Sequence, residues 1–233
     1  MQPAFPTERT LIPIEGATLG FPVRRIYCVA RNYAEHAREM GATDREAPFF
    51  FCKPGDAVLP VAPGSIGRMP YPPKTADLHH EVELVVAIGA TARGISASEA
   101  RQCIFGYAVG LDMTRRDVQA ELKKLARPWD LAKGFDYSAP IGAIRRREDI
   151  GTLDHGAIRL TINGSERQHG DLSDMIWTPT EIVATLSEYF ELRPGDLVFT
   201  GTPAGVGPVS AGDRLVASID GLSDLNVDIV TRD

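Results

Sequence analysis

The chain has 233 residues, a formal net charge of −6, 43% apolar residues and 24% charged ones. That composition supports a sizeable core and excludes a disordered chain. The acidic balance argues against nucleic acid or an anionic membrane as partner, since either calls for a basic face.

Cys28, Cys52 and Cys103 are odd in number and form no Cys-x-x-Cys pair. A disulfide framework or cysteine zinc site is therefore not expected, and a reducing cytoplasm is. No apolar run approaches the ~18 residues of a membrane helix. The N-terminus has neither the basic start nor the apolar core of a signal peptide.

In chain order, residues 1–24 read as a Pro-rich N-terminal arm and residues 25–233 as one domain. Ile26–Val29 is a short strand. Lys53-Pro54-Gly55-Asp56, after Phe49-Phe50-Phe51, is ambiguous. Val82–Ile88 and Phe105–Leu111 are stronger strands, followed by Ile158–Ile162, Leu197–Phe199, Leu215–Ile219 and Leu225–Val230. Asn163-Gly164 marks a hairpin, because both turn residues take positive φ. Three helix starts carry a hydroxyl with an acid three residues on: Ser96/Glu99, Thr114/Asp117 (a shorter variant) and Thr178/Glu181. The last presents Ile182, Val183, Leu186, Tyr189 and Phe190 on one face and ends at Arg193-Pro194-Gly195. Arg145-Arg146-Arg147 reads as a solvated loop. Without regular βαβ alternation, the pattern predicts an α+β domain.

Chemistry concentrates in His79-His80-Glu81-Val82-Glu83-Leu84. Strand alternation puts Glu81, Glu83 and Val85 on one face, with same-face neighbours about 6.5 Å apart. Two carboxylates there mean either a solvated polar face or a pair neutralised by a cation or proton. Asp112, just past the Phe105–Leu111 strand, adds a third acid. Three carboxylates without cysteine suit a hard ion such as Mg²⁺ or Mn²⁺. On the helix starting near Arg115, Arg116 and Gln119 share a face, and Val118, Leu122 and Leu125 supply the buried stripe. That pair can grip a substrate carboxylate or simply be solvated. Lys133, in an apolar stretch, either snorkels to solvent or is held near acids. If Arg31–Met40 is helical, His36 and Glu39 touch, and the carboxylate makes the imidazole a better base; an exposed helix gives the same pattern. Of His79 and His80, at most one can join the carboxylates, since strand neighbours point to opposite faces. The glycine-rich Gly201–Pro208 loop lacks the Gly-Lys-Ser/Thr ending of a phosphate-binding loop.

Four blocks in order, His80-Glu-Val-Glu-Leu, Gly110-Leu-Asp-Met-Thr, Pro128-Trp-Asp-Leu-Ala-Lys-Gly-Phe and Phe199-Thr-Gly-Thr-Pro-Ala-Gly-Val-Gly-Pro, resemble the fumarylacetoacetate hydrolase family. The resemblance implies a mixed β-sandwich roll with a few peripheral helices, usually a homodimer. It implies metal ligation by Glu81, Glu83 and Asp112, with Mg²⁺ or Mn²⁺ as cofactor, and a His36–Glu39 acid–base dyad. Arg116, Gln119, Lys133 and Thr202 match the family's basic, amide and loop positions, and Arg31 falls in its Arg-Asn-Tyr opening as a substrate contact. Three carboxylates against a divalent ion leave one excess negative charge, which Lys133 offsets. Tyr27-Cys-Val-Ala-Arg-Asn-Tyr-Ala-Glu-His is similar to the acylpyruvate hydrolase branch, although Ala30 stands where glycine is expected. The implied activity is carbon–carbon hydrolysis of a 2,4-dioxo acid, fumarylpyruvate in particular, in aromatic breakdown through gentisate. The rivals are an oxaloacetate decarboxylase or 2-oxo acid isomerase on the same fold, and a non-catalytic 2-oxo-acid-binding protein.

Overall fold

The computed structural model describes residue 4 and residues 9–33 and 46–232. Its centre is Val82–Ile88, a strand with every residue buried. Val82, Leu84, Val86 and Ile88 face one apolar cluster and Val85 and Ala87 face another, so the strand is the middle of a layered structure. It belongs to an eight-stranded sheet whose path runs Phe49–Lys53, Ile26–Ala30, Leu197–Phe199, Val82–Ile88, Ile104–Leu111, Ala139–Ile141, Val58–Pro60, with Arg145–Arg146 also pairing on Ile104–Leu111. Two of its pairs are parallel, Leu197–Phe199 on Ile26–Ala30 and Ala139–Ile141 on Val58–Pro60.

A second, five-stranded sheet runs Ser165–Asp171, Ala157–Ile162, Arg214–Ile219, Leu225–Val230, Ile66–Pro70. Its inward residues, among them Ile158, Leu160, Leu215, Ala217, Val227 and Ile229, fill the first cluster against the central strand. The sheet is mixed, Leu225–Val230 pairing in parallel with Ile66–Pro70, and the alternating buried and half-buried residues of Ala157–Ile162 and Leu225–Val230 are what a sheet with one face on the core produces. On the other face, Ile12, Ile14 and Phe21 from the Leu11–Pro13/Gly20–Pro22 hairpin pack with Ile26, Cys28, Leu197 and Phe199. The result is the expected α+β sandwich roll.

Among the helices, Ala97–Cys103 and Pro179–Tyr189 have the expected capping boxes on Ser96 and Thr178. Four local readings need correction. Thr114 does not cap the Arg116–Lys124 helix: it lies in a two-residue strand, its hydroxyl donates to the Asp112 carbonyl, and Asp117 instead accepts from Thr75 and Ala76. That helix buries Gln119 and Leu122, while Leu125, already past its last turn, is half exposed. Pro179–Tyr189 stops four residues before Arg193, with Phe190 already extended beyond it, and both Tyr189 and Phe190 are exposed rather than on the buried face. Arg145-Arg146-Arg147 is not a loop either. Its first two residues pair with Ile104–Leu111, and Arg147 opens a one-turn helix and donates to the Ile104 carbonyl.

Candidate active site

The antiparallel register brings the acids together. Val82 pairs with Leu111 and Glu83 with Gly110, so Glu81 and Asp112, one step beyond, face each other across the strand ends, tied by the Asp112 N–H to the Glu81 carbonyl at 2.9 Å. Gly110 has to be glycine: a Cβ there meets Val85 Cγ2 at 2.5 Å and Phe199 Cε1 at 2.8 Å. Glu81, Glu83 and Asp112 are all buried, and one carboxylate oxygen from each lies within 4.8 Å of the other two. The solvated-face alternative is thereby excluded.

Cations close on the cluster from three elements. Lys133, last residue of the Asp130–Lys133 turn of helix, is buried and donates to Glu81 Oε2 at 2.7 Å and Asp112 Oδ2 at 2.6 Å. Held near acids, it does not snorkel. Arg116, at the start of its helix, donates to Glu81 Oε1 and to Gln119 Oε1 at 2.6 Å. Lys53, at the end of the edge strand Phe49–Lys53, has its Nζ 2.8 Å from Asp112 Oδ1. Its ammonium donates to the carbonyls of Met113, Lys133 and Ser138, which uses its three protons. Among the described residues, Asp112 Oδ1 therefore has a positive neighbour but no hydrogen bond. Lys133 supplies the expected positive charge beside the carboxylates, and Arg116 and Lys53 add two more cations to it. Nothing in the local pattern around Lys53 marks it: it ends an aromatic run, and only the tertiary fold brings it to Asp112.

The titration behaviour follows from this packing. Burial, with the Asp112 and Glu81 carboxylates beside it, pushes Glu83 well above the usual carboxyl range. Burial also pushes Glu81 up, but Lys133 and Arg116 outweigh it and hold the carboxyl well below that range. For Lys133, burial favours the neutral amine, and Asp112 and Glu81 more than reverse this, so the ammonium persists.

The remaining wall is the Gly201-Thr202 turn. Gly201 takes φ +95° and its N–H donates to Glu83 Oε2 at 2.7 Å; Thr202 is buried beside it. Together these groups line a small open cleft, with Arg31, Phe51, Lys123 and Trp129 around the mouth. Arg31 is exposed and takes φ 61°. Neither histidine joins the carboxylates: His79 pairs with Asp77, and His80 bonds Gln168, with burial lowering its pKa to about 4. His36 and Glu39 lie outside the described residues.

A divalent cation fits this donor set. The three acids supply hard oxygens around one point, Asp112 Oδ1 lacks a hydrogen bond among the described residues, and Glu83 resists ionising without further positive charge.

The family model described as fumarylacetoacetate (FAA) hydrolase C-terminal matches residues 25–230. The chain belongs to the fumarylacetoacetate hydrolase family. Among solved structures of the family, it superposes on the fumarylpyruvate hydrolase of Pseudomonas aeruginosa, crystallised in complex with Mn²⁺ and pyruvate, with a TM-score of 0.97 and 51% identity over 99% of this chain and 100% of that one. It is 43% identical to the oxaloacetate tautomerase YcgM of Escherichia coli, over 90% of this chain and 94% of the relative. With the fumarylpyruvate hydrolase of a Ralstonia species it shares 38% over 79% of this chain and 93% of the relative. Hydrolase and tautomerase relatives thus stand at similar distances. Among the described residues, no helix is long and apolar enough to cross a membrane.

Proposed function

We propose that this family member is a metal-dependent acylpyruvate hydrolase that cleaves fumarylpyruvate to fumarate and pyruvate. The observation that carries the reading is the buried triad Glu81, Glu83 and Asp112, with Lys133 bridging two of its members. The similarity to a hydrolase crystallised with Mn²⁺ and pyruvate supports it. The three acids would hold Mg²⁺ or Mn²⁺, which when bound supplies Lewis-acid polarisation of a 2-oxo acid.

The chain's own groups do the rest. Arg116, fixed by Glu81 and Gln119, offers its remaining guanidinium protons to the substrate carboxylate. Gln119 and Arg31 add polar contacts from the helix and the mouth, and Thr202 adds one from the loop. His36, oriented by Glu39, takes a proton from water as the water oxygen attacks the acyl carbonyl carbon. The bond from that carbon to the methylene then breaks, and its electron pair stays with the pyruvate fragment as an enolate. Lys133, kept charged by two carboxylates, stabilises this developing negative charge. Proton return to the methylene carbon completes pyruvate.

A second reading, a 2-oxo acid isomerase, is favoured by the 43% identity to an oxaloacetate tautomerase. It needs the same cleft and enolate but no activated water. The direct test supplies purified protein with fumarylpyruvate and Mg²⁺ or Mn²⁺ and follows pyruvate. The hydrolase reading predicts turnover that stops in excess chelator. Absence of pyruvate, or a rate the chelator leaves untouched, contradicts it.

A further inference from the structure

Behind the Gly201-Thr202 turn, a buried polar chain remains that the chemistry above does not use. Gln168, on Ser165–Asp171 of the five-stranded sheet, is 1% exposed. Its Oε1 lies 3.0 Å from the Val82 N and 2.8 Å from His80 Nδ1. Its Nε2 lies 2.8 Å from Thr202 Oγ1 and 2.9 Å from the Pro203 carbonyl oxygen.

Two backbone groups fix which end of the amide is which. The Val82 N–H only donates and the Pro203 carbonyl only accepts. The flipped amide would set donor against donor at Val82 and acceptor against acceptor at Pro203, both in a buried site where an unpaired polar group is costly. Nε2 therefore donates to Thr202 Oγ1. The threonine oxygen is engaged as an acceptor, and its own proton is left to give elsewhere. Among the described residues no hydrogen bond donated by Thr202 Oγ1 is formed, and the residue lines the cleft with Glu83, Asp112 and Lys133. The same logic places the His80 ring proton on Nδ1, leaving Nε2 as a buried lone pair without a hydrogen bond among the described residues.

We infer that Gln168 is a positioning residue that presets the Thr202 hydroxyl as a hydrogen-bond donor to a carboxylate or oxo oxygen of a 2-oxo acid in the cleft. The inference rests on the 2-oxo acid reading of the site. In a cleft lined by three carboxylates, a threonine hydroxyl with nothing donating to its oxygen has competing acceptors for its proton. The amide, braced by two backbone groups, occupies that oxygen and turns the proton away from itself toward the cleft before substrate arrives, which is preorganisation in the sense that raises affinity without a new contact.

The test is pyruvate binding to the Mn²⁺-loaded protein by calorimetry, with kcat and KM for fumarylpyruvate alongside. Gln168→Glu keeps the shape but replaces the amide protons with acceptors, so the Thr202 proton turns back toward it. Gln168→Glu and Thr202→Val are each expected to weaken pyruvate binding by about tenfold, with Mn²⁺ affinity unchanged. Thr202→Ser is expected to bind as the parent does, and Gln168→Glu is expected to add no further loss on Thr202→Val. Should Gln168→Glu not fold, Gln168→Met, which removes the donor without adding charge, is read in the same way against Thr202→Val. Parent-like pyruvate binding by the Gln168 variants, or losses that multiply with Thr202→Val, overturns the inference. A parent protein that binds no pyruvate overturns it together with the 2-oxo acid reading. A parent that binds pyruvate but releases none from fumarylpyruvate sinks only the hydrolase assignment, and the variants still decide the role of Gln168.

Discussion

Glu83 ends up on a strand buried on both faces, with two other carboxylates beside it and a single backbone N–H for comfort. Burial and its neighbours raise its folded-state pKa above that of the unfolded chain. The folded protein therefore holds this proton more tightly, and the associated stability is fully present below the unfolded carboxyl value of about 4.3. It is lost as pH rises through that value and on through the raised folded one. Without metal, the thermal midpoint should fall across that window; if Glu83 is a ligand as proposed, saturating Mn²⁺ should flatten the fall. Identical pH profiles with and without Mn²⁺ would count against Glu83 as a ligand. Lys53 is the converse case, a buried cation among three carbonyls and Asp112. Lys53→Met leaves those acceptors and one carboxylate without their partner, and should cost about 3–5 kcal/mol in urea unfolding of the metal-free protein. A loss under about 1 kcal/mol would mean that its contacts are incidental. At His36, an Ala substitution should lower fumarylpyruvate hydrolysis by about 10²–10⁴-fold. Unchanged hydrolysis would remove the water-activating role from His36.

At the scale of elements, the site is made by three junctions: the step between Leu78–His80 and Val82–Ile88, the end of Ile104–Leu111, and the turn after Leu197–Phe199. Strand alternation made Glu81 and Glu83 legible as neighbours, and a carboxylate just past a second strand made Asp112 legible as a third. Register, which no local pattern carries, decides that Glu81 and Asp112 meet. Gly201 shows how tightly the third junction is set, since a Cβ there lies 2.7 Å from the Asn32 Cβ, and φ is already +95°. Asn32 cannot retreat, because its amide is bonded to the Trp177 and Thr200 backbones. Gly201→Ala should therefore destabilise by about 1–3 kcal/mol. Gly212→Ala has a similar φ of +99° but open space around it, and should cost less in parallel denaturant curves. Equal costs would show that backbone strain alone, and not the packing against Asn32, sets the turn.

Across the whole molecule, the α+β class was legible because the strands are interleaved irregularly with helices that announce their own starts at Ser96 and Thr178, whereas the sandwich roll was implied only by the family resemblance. The failures have a common cause. Thr114, Leu125, Tyr189 and Arg145–Arg147 each obey a local rule that tertiary packing overrides: a strand takes the expected cap, a helix stops early, and a sheet edge recruits a basic run. Lys53 and Gln168 were invisible for the opposite reason. A lysine ending an aromatic strand and a glutamine in a mostly exposed strand carry no pattern of their own, yet each is buried at the site by contacts across 60 and 34 or more positions. The central claim is that Glu81, Glu83 and Asp112 act together around one divalent ion. Its most direct test is a calorimetric titration of Mn²⁺ into the parent protein and into Asp112→Asn, with folding of both checked by thermal denaturation. The account predicts one ion per chain for the parent and an affinity weaker by about tenfold or more for the variant; no uptake by the parent, or equal affinity in the two proteins, would contradict it.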